Sequence, residues 1–66
     1  MKVTVNGETR ELAADSTLLS LLESLDMTRG RVAVEINQEI IPRSQHSEHL
    51  LHDGDKIEII HAVGGG

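Results

Sequence analysis

Only one stretch of this chain repeats its apolar residues at helical spacing, and that limits the fold to a single main helix on a sheet. Leu18, Leu21, Leu22 and Leu25 recur three and four residues apart, and Leu19 widens the stripe. Ser20, Glu23 and Ser24 fill the opposite side. A coiled-coil seam needs several more heptads, so the stripe reads as core. Asp15, Ser16 or Thr17 can supply the oxygen that caps the first turn. Gly30, after Thr28 and Arg29, closes the connection that follows the helix.

The rest of the chain alternates at period two, the mark of half-buried strands. Met1 to Val5 is the first such run, and Asn6-Gly7 follows with residues that tolerate the positive φ of a tight hairpin turn. Glu8 to Leu12 returns as a second strand. A two-residue loop sets Val5 opposite Glu8, Val3 opposite Arg10 and Met1 opposite Leu12. Arg10 then falls on the apolar face, where its aliphatic stem can cover the core edge while the guanidinium reaches water.

Val32, Val34 and Ile36 alternate with Ala33, Glu35 and Asn37 in a third strand. Ile40-Ile41 is a short extended piece ended by Pro42, which cannot donate to a ladder. Arg43 to Leu51 is a polar loop or single helical turn, and Asp53-Gly54-Asp55 is a turn signal. Lys56 to Val63 is the last strand, with Ile57, Ile59 and His61 on one face and Glu58, Ile60 and Ala62 on the other. Apolar residues on both faces suit a central position. The expected fold is α+β, a mixed sheet of four to five strands with the helix packed on one face. The other face stays open, and Ala33, Ile60, Ala62 and Val63 form a candidate partner surface there.

A chain of 66 residues supplies one domain, expected over residues 1–63 with a flexible glycine tail at 64–66. Domains of this size bury only about 60% of their unfolded surface. The chain contains no Phe, Trp, Tyr or Cys, so aliphatic side chains alone must build the core. Disulfides, thiolate metal sites and cysteine nucleophiles are excluded. Eleven acidic residues against six basic ones give a net charge of −5. Six Lys and Arg are too few for an extended phosphate-binding groove, which argues against nucleic acid. An acidic surface suits docking on a basic partner. No signal-peptide pattern or membrane-length apolar run appears, so a cytoplasmic location is expected.

Catalytic constellations are weak. His46, His49 and His52 are spaced by three, which on a helix offsets successive members by about 60° and keeps all three from converging on one ion. They read as an exposed polar segment, with no metal site expected. Asp53 and Asp55 around Gly54 read as turn formers more readily than as an acid/base pair. Ser44 and Ser47 near His46 share a short loop that implies no pocket. His61 reads as a packed or edge histidine.

The glycine run is different. Gly64-Gly65-Gly66 follows the last strand directly, with no polar spacer. Terminal glycines are commonly a disordered end or a linker remnant. Yet a run without Cβ atoms can thread a channel too narrow for any side chain, or lie against a nucleotide held by another protein. The carboxylate of Gly66 could attack the α-phosphate of ATP and form an acyl-adenylate, open to a sulfur or nitrogen nucleophile. The chain would then supply the group and a partner the catalysis.

The order of strand, Asn6-Gly7 turn, strand and leucine helix, followed by Ala33 to Arg43, Asp53-Gly54-Asp55 and the Gly65-Gly66 end, resembles the ThiS family along essentially the whole chain. That resemblance implies the ubiquitin-like β-grasp fold and a sulfur carrier of thiamine biosynthesis, not an enzyme. It implies that a ThiF-like, E1-like enzyme using ATP and magnesium adenylates Gly66, with Gly64 and Gly65 threading into the partner's active site. A sulfur donor protein then converts the adenylate to a thiocarboxylate, which a ThiG-like thiazole synthase consumes. No cofactor bound by the chain itself is implied. Gly64 goes beyond the minimal diglycine, and the aromatic residues sometimes present in such cores are absent. Two other readings stay open: a MoaD-like carrier for molybdopterin or another sulfur-transfer pathway, and a non-covalent TGS-like β-grasp binding module.

Overall fold

Asn6 and Gly7 adopt φ of 49° and 86°, the left-handed pair that a type I′ turn requires, and fold the first two strands into a hairpin. The computed structural model describes residues 1–62. β1 (Lys2–Val5) and β2 (Glu8–Glu11) pair antiparallel with Val5 opposite Glu8 and Val3 opposite Arg10. Leu12 completes the expected register through its N–H, 2.8 Å from the Met1 carbonyl. Every residue of β2 is exposed, so Arg10 lies beyond the covered core and sits 3.9 Å from Glu8.

The leucine stripe forms α1 (Leu18–Ser24). Of the three capping candidates Thr17 is the cap. Its Oγ1 accepts the Ser20 N–H at 3.1 Å, while its own N–H donates to Ser20 Oγ at 3.0 Å. The helix ends earlier than Gly30: Asp26 takes φ 57°, and the N–H groups of Asp26 and Met27 donate to the carbonyls of Glu23 and Leu22. That is a Schellman closure made by Asp in place of Gly. Aspartate tolerates this region because its short side chain can hydrogen-bond locally.

β3 (Arg31–Ile36), β4 (Glu39–Ile41) and β5 (Lys56–Ala62) complete a five-stranded sheet in the order β2-β1-β5-β3-β4. β5 is central, parallel to β1 and antiparallel to β3, so the sheet is mixed. Asn37 and Gln38, with φ of 52° and 70°, make the β3–β4 turn. A single 3₁₀ turn at Arg43–Gln45 follows Pro42.

The segment from His46 to Leu51 is anchored to the start of the helix. The Leu19 and Leu18 amides, which have no partner inside the first helical turn, donate to the carbonyls of His46 and His49 at 2.9 Å each. Leu51 N–H donates to Ser16 O at 3.0 Å. Leu51 itself joins the core, with Leu18, Leu21 and Leu22 of the helix against Val3, Val5, Val34, Ile36, Ile41, Ile57 and Ile59 of the sheet. Each fully buried aliphatic side chain contributes about 1.5–3 kcal/mol from leaving water. None of the helices among the described residues is long and apolar enough to cross a membrane.

Candidate functional site

The two faces of β5 follow period two. Ile57 and Ile59 are buried and His61 half-buried beneath the helix, whereas Glu58, Ile60 and Ala62 are exposed on the opposite face. β3 repeats the division, with Val34 and Ile36 inward and Ala33 and Arg31 outward. The register sets Ala33 beside Ile60 and Arg31 beside Ala62. Three of the expected surface residues, Ala33, Ile60 and Ala62, thus share the open face. Val63, Gly64, Gly65 and Gly66 lie outside the described residues.

The open face also holds residues that the sequence reading left out of the surface. Ile40 is 72% exposed and Ile60 69%, and both line a shallow concavity with Ala33, Glu35, Lys56 and Glu58. Ile41 turns inward, so period two places its neighbour Ile40 outward; the signal was present in the sequence. Glu35 stands directly opposite both Ile40 on β4 and Glu58 on β5. Like charges facing each other across strands are unfavourable, so the apolar patch is bordered by a repulsive acidic pair.

Polar side chains fasten the loops at the start of β5. Asp55 is buried and accepts hydrogen bonds from the His52 N–H at 2.8 Å and the Asn37 side-chain amide at 3.0 Å. Asn37 Oδ1 accepts the Lys56 N–H at 3.0 Å. Asp53 accepts the Lys2 N–H at 2.7 Å, and Gly54, at φ 87°, donates to Lys2 O. Both aspartates are thereby turn-forming acceptors.

The histidine segment departs from its expected exposure at two of its three positions. His46 is buried, and its Nε2 donates to the Ile41 carbonyl at 3.0 Å. His49 is half-buried and His52 exposed. Among the described residues no three His, Asp or Glu side chains converge where they could hold a metal ion. Ser44 and Ser47 are exposed, with no nucleophile–base hydrogen bond to His46.

Comparison with known proteins gives this sheet-and-helix arrangement a family. Residues 3–66 match the ThiS family. The chain belongs to the ThiS family. The sulfur carrier protein ThiS of Escherichia coli K12 is 38% identical over 66 residues, covering all of both chains. A thiazole synthase of Paramagnetospirillum magneticum is 44% identical over 66 residues, but this ThiS-family chain spans only 20% of that protein's length. The crystal structure of the thiamine biosynthesis protein ThiS from Geobacter metallireducens superposes with a TM-score of 0.81 at 32% identity, each chain covered in full. The β-grasp fold expected from the resemblance is the fold observed.

Proposed function

We propose that this ThiS-family chain is the sulfur carrier of thiamine biosynthesis, with the carboxylate of Gly66 as its working group. The observation that carries the reading is the end-to-end match to a ThiS carrier, which includes the glycine residues after β5. The chain is then a protein co-substrate, and catalysis belongs to its partners.

The chemistry follows from the group. A Gly66 carboxylate oxygen attacks the α-phosphorus of ATP, an O–P bond forms, and pyrophosphate departs with the magnesium that neutralises it. The resulting acyl-adenylate is a mixed anhydride whose carbonyl carbon accepts a sulfur nucleophile. With a persulfide on the donor as that nucleophile, AMP leaves and an acyl disulfide forms. A thiol then attacks the donor's sulfur, the S–S bond breaks, the donor departs as a disulfide with that thiol, and the terminus is left as a thiocarboxylate. ATP and magnesium reside in the E1-like, ThiF-like partner. Gly64 and Gly65 suit a narrow channel because they carry no side chain.

Two relatives support the downstream partner. Proteins named thiazole synthase contain a stretch matching the whole of this chain within about a fifth of their length, here 44% and 38% identical. A carrier and a synthase within one polypeptide fit a working pair, so a ThiG-like thiazole synthase is the proposed acceptor. The open face with Ala33, Ile40, Ile60 and Ala62 is the proposed docking surface. Its exposed apolar side chains need cover, and a basic group on the partner would relieve the Glu35–Glu58 repulsion. These steps are soluble, nucleotide-dependent chemistry, which fits the cytoplasm.

The test is an intact-mass measurement after incubation with a ThiF-like enzyme, ATP, magnesium and a sulfur donor. Exchange of one oxygen for sulfur, located on Gly66 by fragmentation, is the expected result. An unchanged mass with an enzyme proven active on its own carrier overturns the reading. Supplying the thiolated product to thiazole synthase and to molybdopterin synthase then separates the pathways, and thiazole formation alone is expected.

A further inference from the structure

β5 is supported unevenly along its length. At its start it lies between two strands, with Thr4 and Val5 of β1 opposite Lys56 and Ile57, and Glu35 and Ile36 of β3 on the other side. β1 then ends. Asn6 makes the last contact on that side: its Oδ1 accepts the Ile59 N–H at 2.8 Å and its Nδ2 donates to the Ile59 carbonyl at 3.2 Å. From Ile60 to Ala62 the strand keeps only β3 beside it among the described residues. The backbone groups of Ile57 and Ile59 point toward β1. By the alternation of a strand, those of His61 point the same way, past the end of β1. Strand ends held on one side open more readily than the body of a sheet.

One side chain strengthens this exit. His61 is half-buried on the helix-facing side, and its Nε2 lies 2.7 Å from the carbonyl oxygen of Arg29. A carbonyl only accepts, so Nε2 carries the hydrogen and donates it. Arg29 lies in the connection between α1 and β3, beyond the last register pair of Arg31 with Ala62. The bond therefore reaches past the end of the ladder and ties β5 to a second element where its backbone has a single neighbour.

We propose that His61 is a positioning residue for carrier chemistry: its bond to Arg29 fixes the last described stretch of β5, His61–Ala62, from which the chain continues to Gly66. The inference rests on the carrier reading above. His61 touches no reacting atom. It acts by holding the root of the segment that a partner must receive, so that less ordering remains to be done on binding.

The experiment uses the full chain with His61→Ala and His61→Gln, the second of which keeps an amide donor of similar reach. Amide hydrogen exchange of the free carrier is read first, since it needs no partner. The His61→Ala change is expected to speed exchange at Arg31 and Ala62 by about tenfold while Val34 and Ile57 stay as in the wild type. His61→Gln should restore protection at those two positions. ATP–pyrophosphate exchange by a ThiF-like enzyme is then followed against carrier concentration. His61→Ala is expected to raise the KM for the carrier about tenfold with kcat unchanged, and Gln to bring it back within about twofold. Wild-type exchange rates at Arg31 and Ala62 in His61→Ala, or an unchanged KM, overturn the proposal. Equal damage from Ala and Gln overturns it too, because the donor would then not be the cause. A wild-type carrier that supports no pyrophosphate exchange counts against the carrier reading instead, and the amide measurement still decides the clamp.

Discussion

The two faces of the sheet are made from the same kinds of residue and put to opposite uses. Under the helix, Val3, Val5, Val34, Ile36, Ile57 and Ile59 are all buried, and Leu18 and Ile57 are fully excluded from water. On the other face Ile40 and Ile60 stand in solvent beside Ala33 and the opposed Glu35 and Glu58. A 66-residue chain without aromatic residues has little apolar surface to spare, yet it leaves two isoleucines uncovered. The covered face determines whether the domain folds. The open face adds little to folding, so its apolar character points to an interaction.

Four substitutions test this division of roles. The largest effect belongs to Ile57→Ala at the centre of the covered face, expected to cost about 2–5 kcal/mol and to bring so small a domain close to unfolding. Urea denaturation checks it, and a near-wild-type midpoint would mean the core is not where it is placed here. Next comes Asp55→Ala, which strands the His52 and Asn37 donors and should cost about 1–3 kcal/mol in the same assay. Thr17→Ala removes the helix cap and should lower stability by about 1 kcal/mol, read as a fall in thermal midpoint of about 4–8 °C. The smallest stability change is expected for Ile60→Ser on the open face, within about 0.5 kcal/mol. That variant should nevertheless bind a ThiF-like or ThiG-like partner more weakly by calorimetry. Undiminished binding would remove Ile60 from the docking surface.

Much of this arrangement was legible because it follows local rules. The Asn6-Gly7 pair fixes the hairpin and hence the pairing of Val3 with Arg10, since a two-residue loop leaves no freedom in register. The leucine spacing marks the helix, and period two divides β3 and β5 correctly between the faces. The same rule applied to β4 would have put Ile40 on the surface. What stayed hidden depends on tertiary partners. His46 is buried because a carbonyl of Ile41 receives its Nε2–H, and because the helix start claims its own carbonyl. Nothing in the polar run from Arg43 to His49 announces either contact. Asn37 and Asp55 each read as turn residues; that they bond to each other, 18 positions apart, follows from folding alone. Asp26 closes the helix in a conformation usually filled by glycine, which the sequence does not announce, whereas Gly30, at φ 78°, closes the connection just before β3 as expected.

The candidate site was legible in part for the same reason. Ala33, Ile60 and Ala62 were placed by alternation, whereas the acidic pair beside them depends on which strands become neighbours. Gly66 is proposed on chemistry alone, as a carboxylate on a stretch without side chains, and lies outside the described residues.

The central claim is that the working group and the folded domain are separable, and the described core, which ends at Ile59, is consistent with that. Deleting Gly66 tests it most directly, by thermal melt and by intact mass after incubation with a ThiF-like enzyme, ATP, magnesium and a sulfur donor. The predicted result is a melt superimposable on the wild type with no sulfur gained. A shortened chain that still acquires sulfur, or one that loses its fold, would contradict the account.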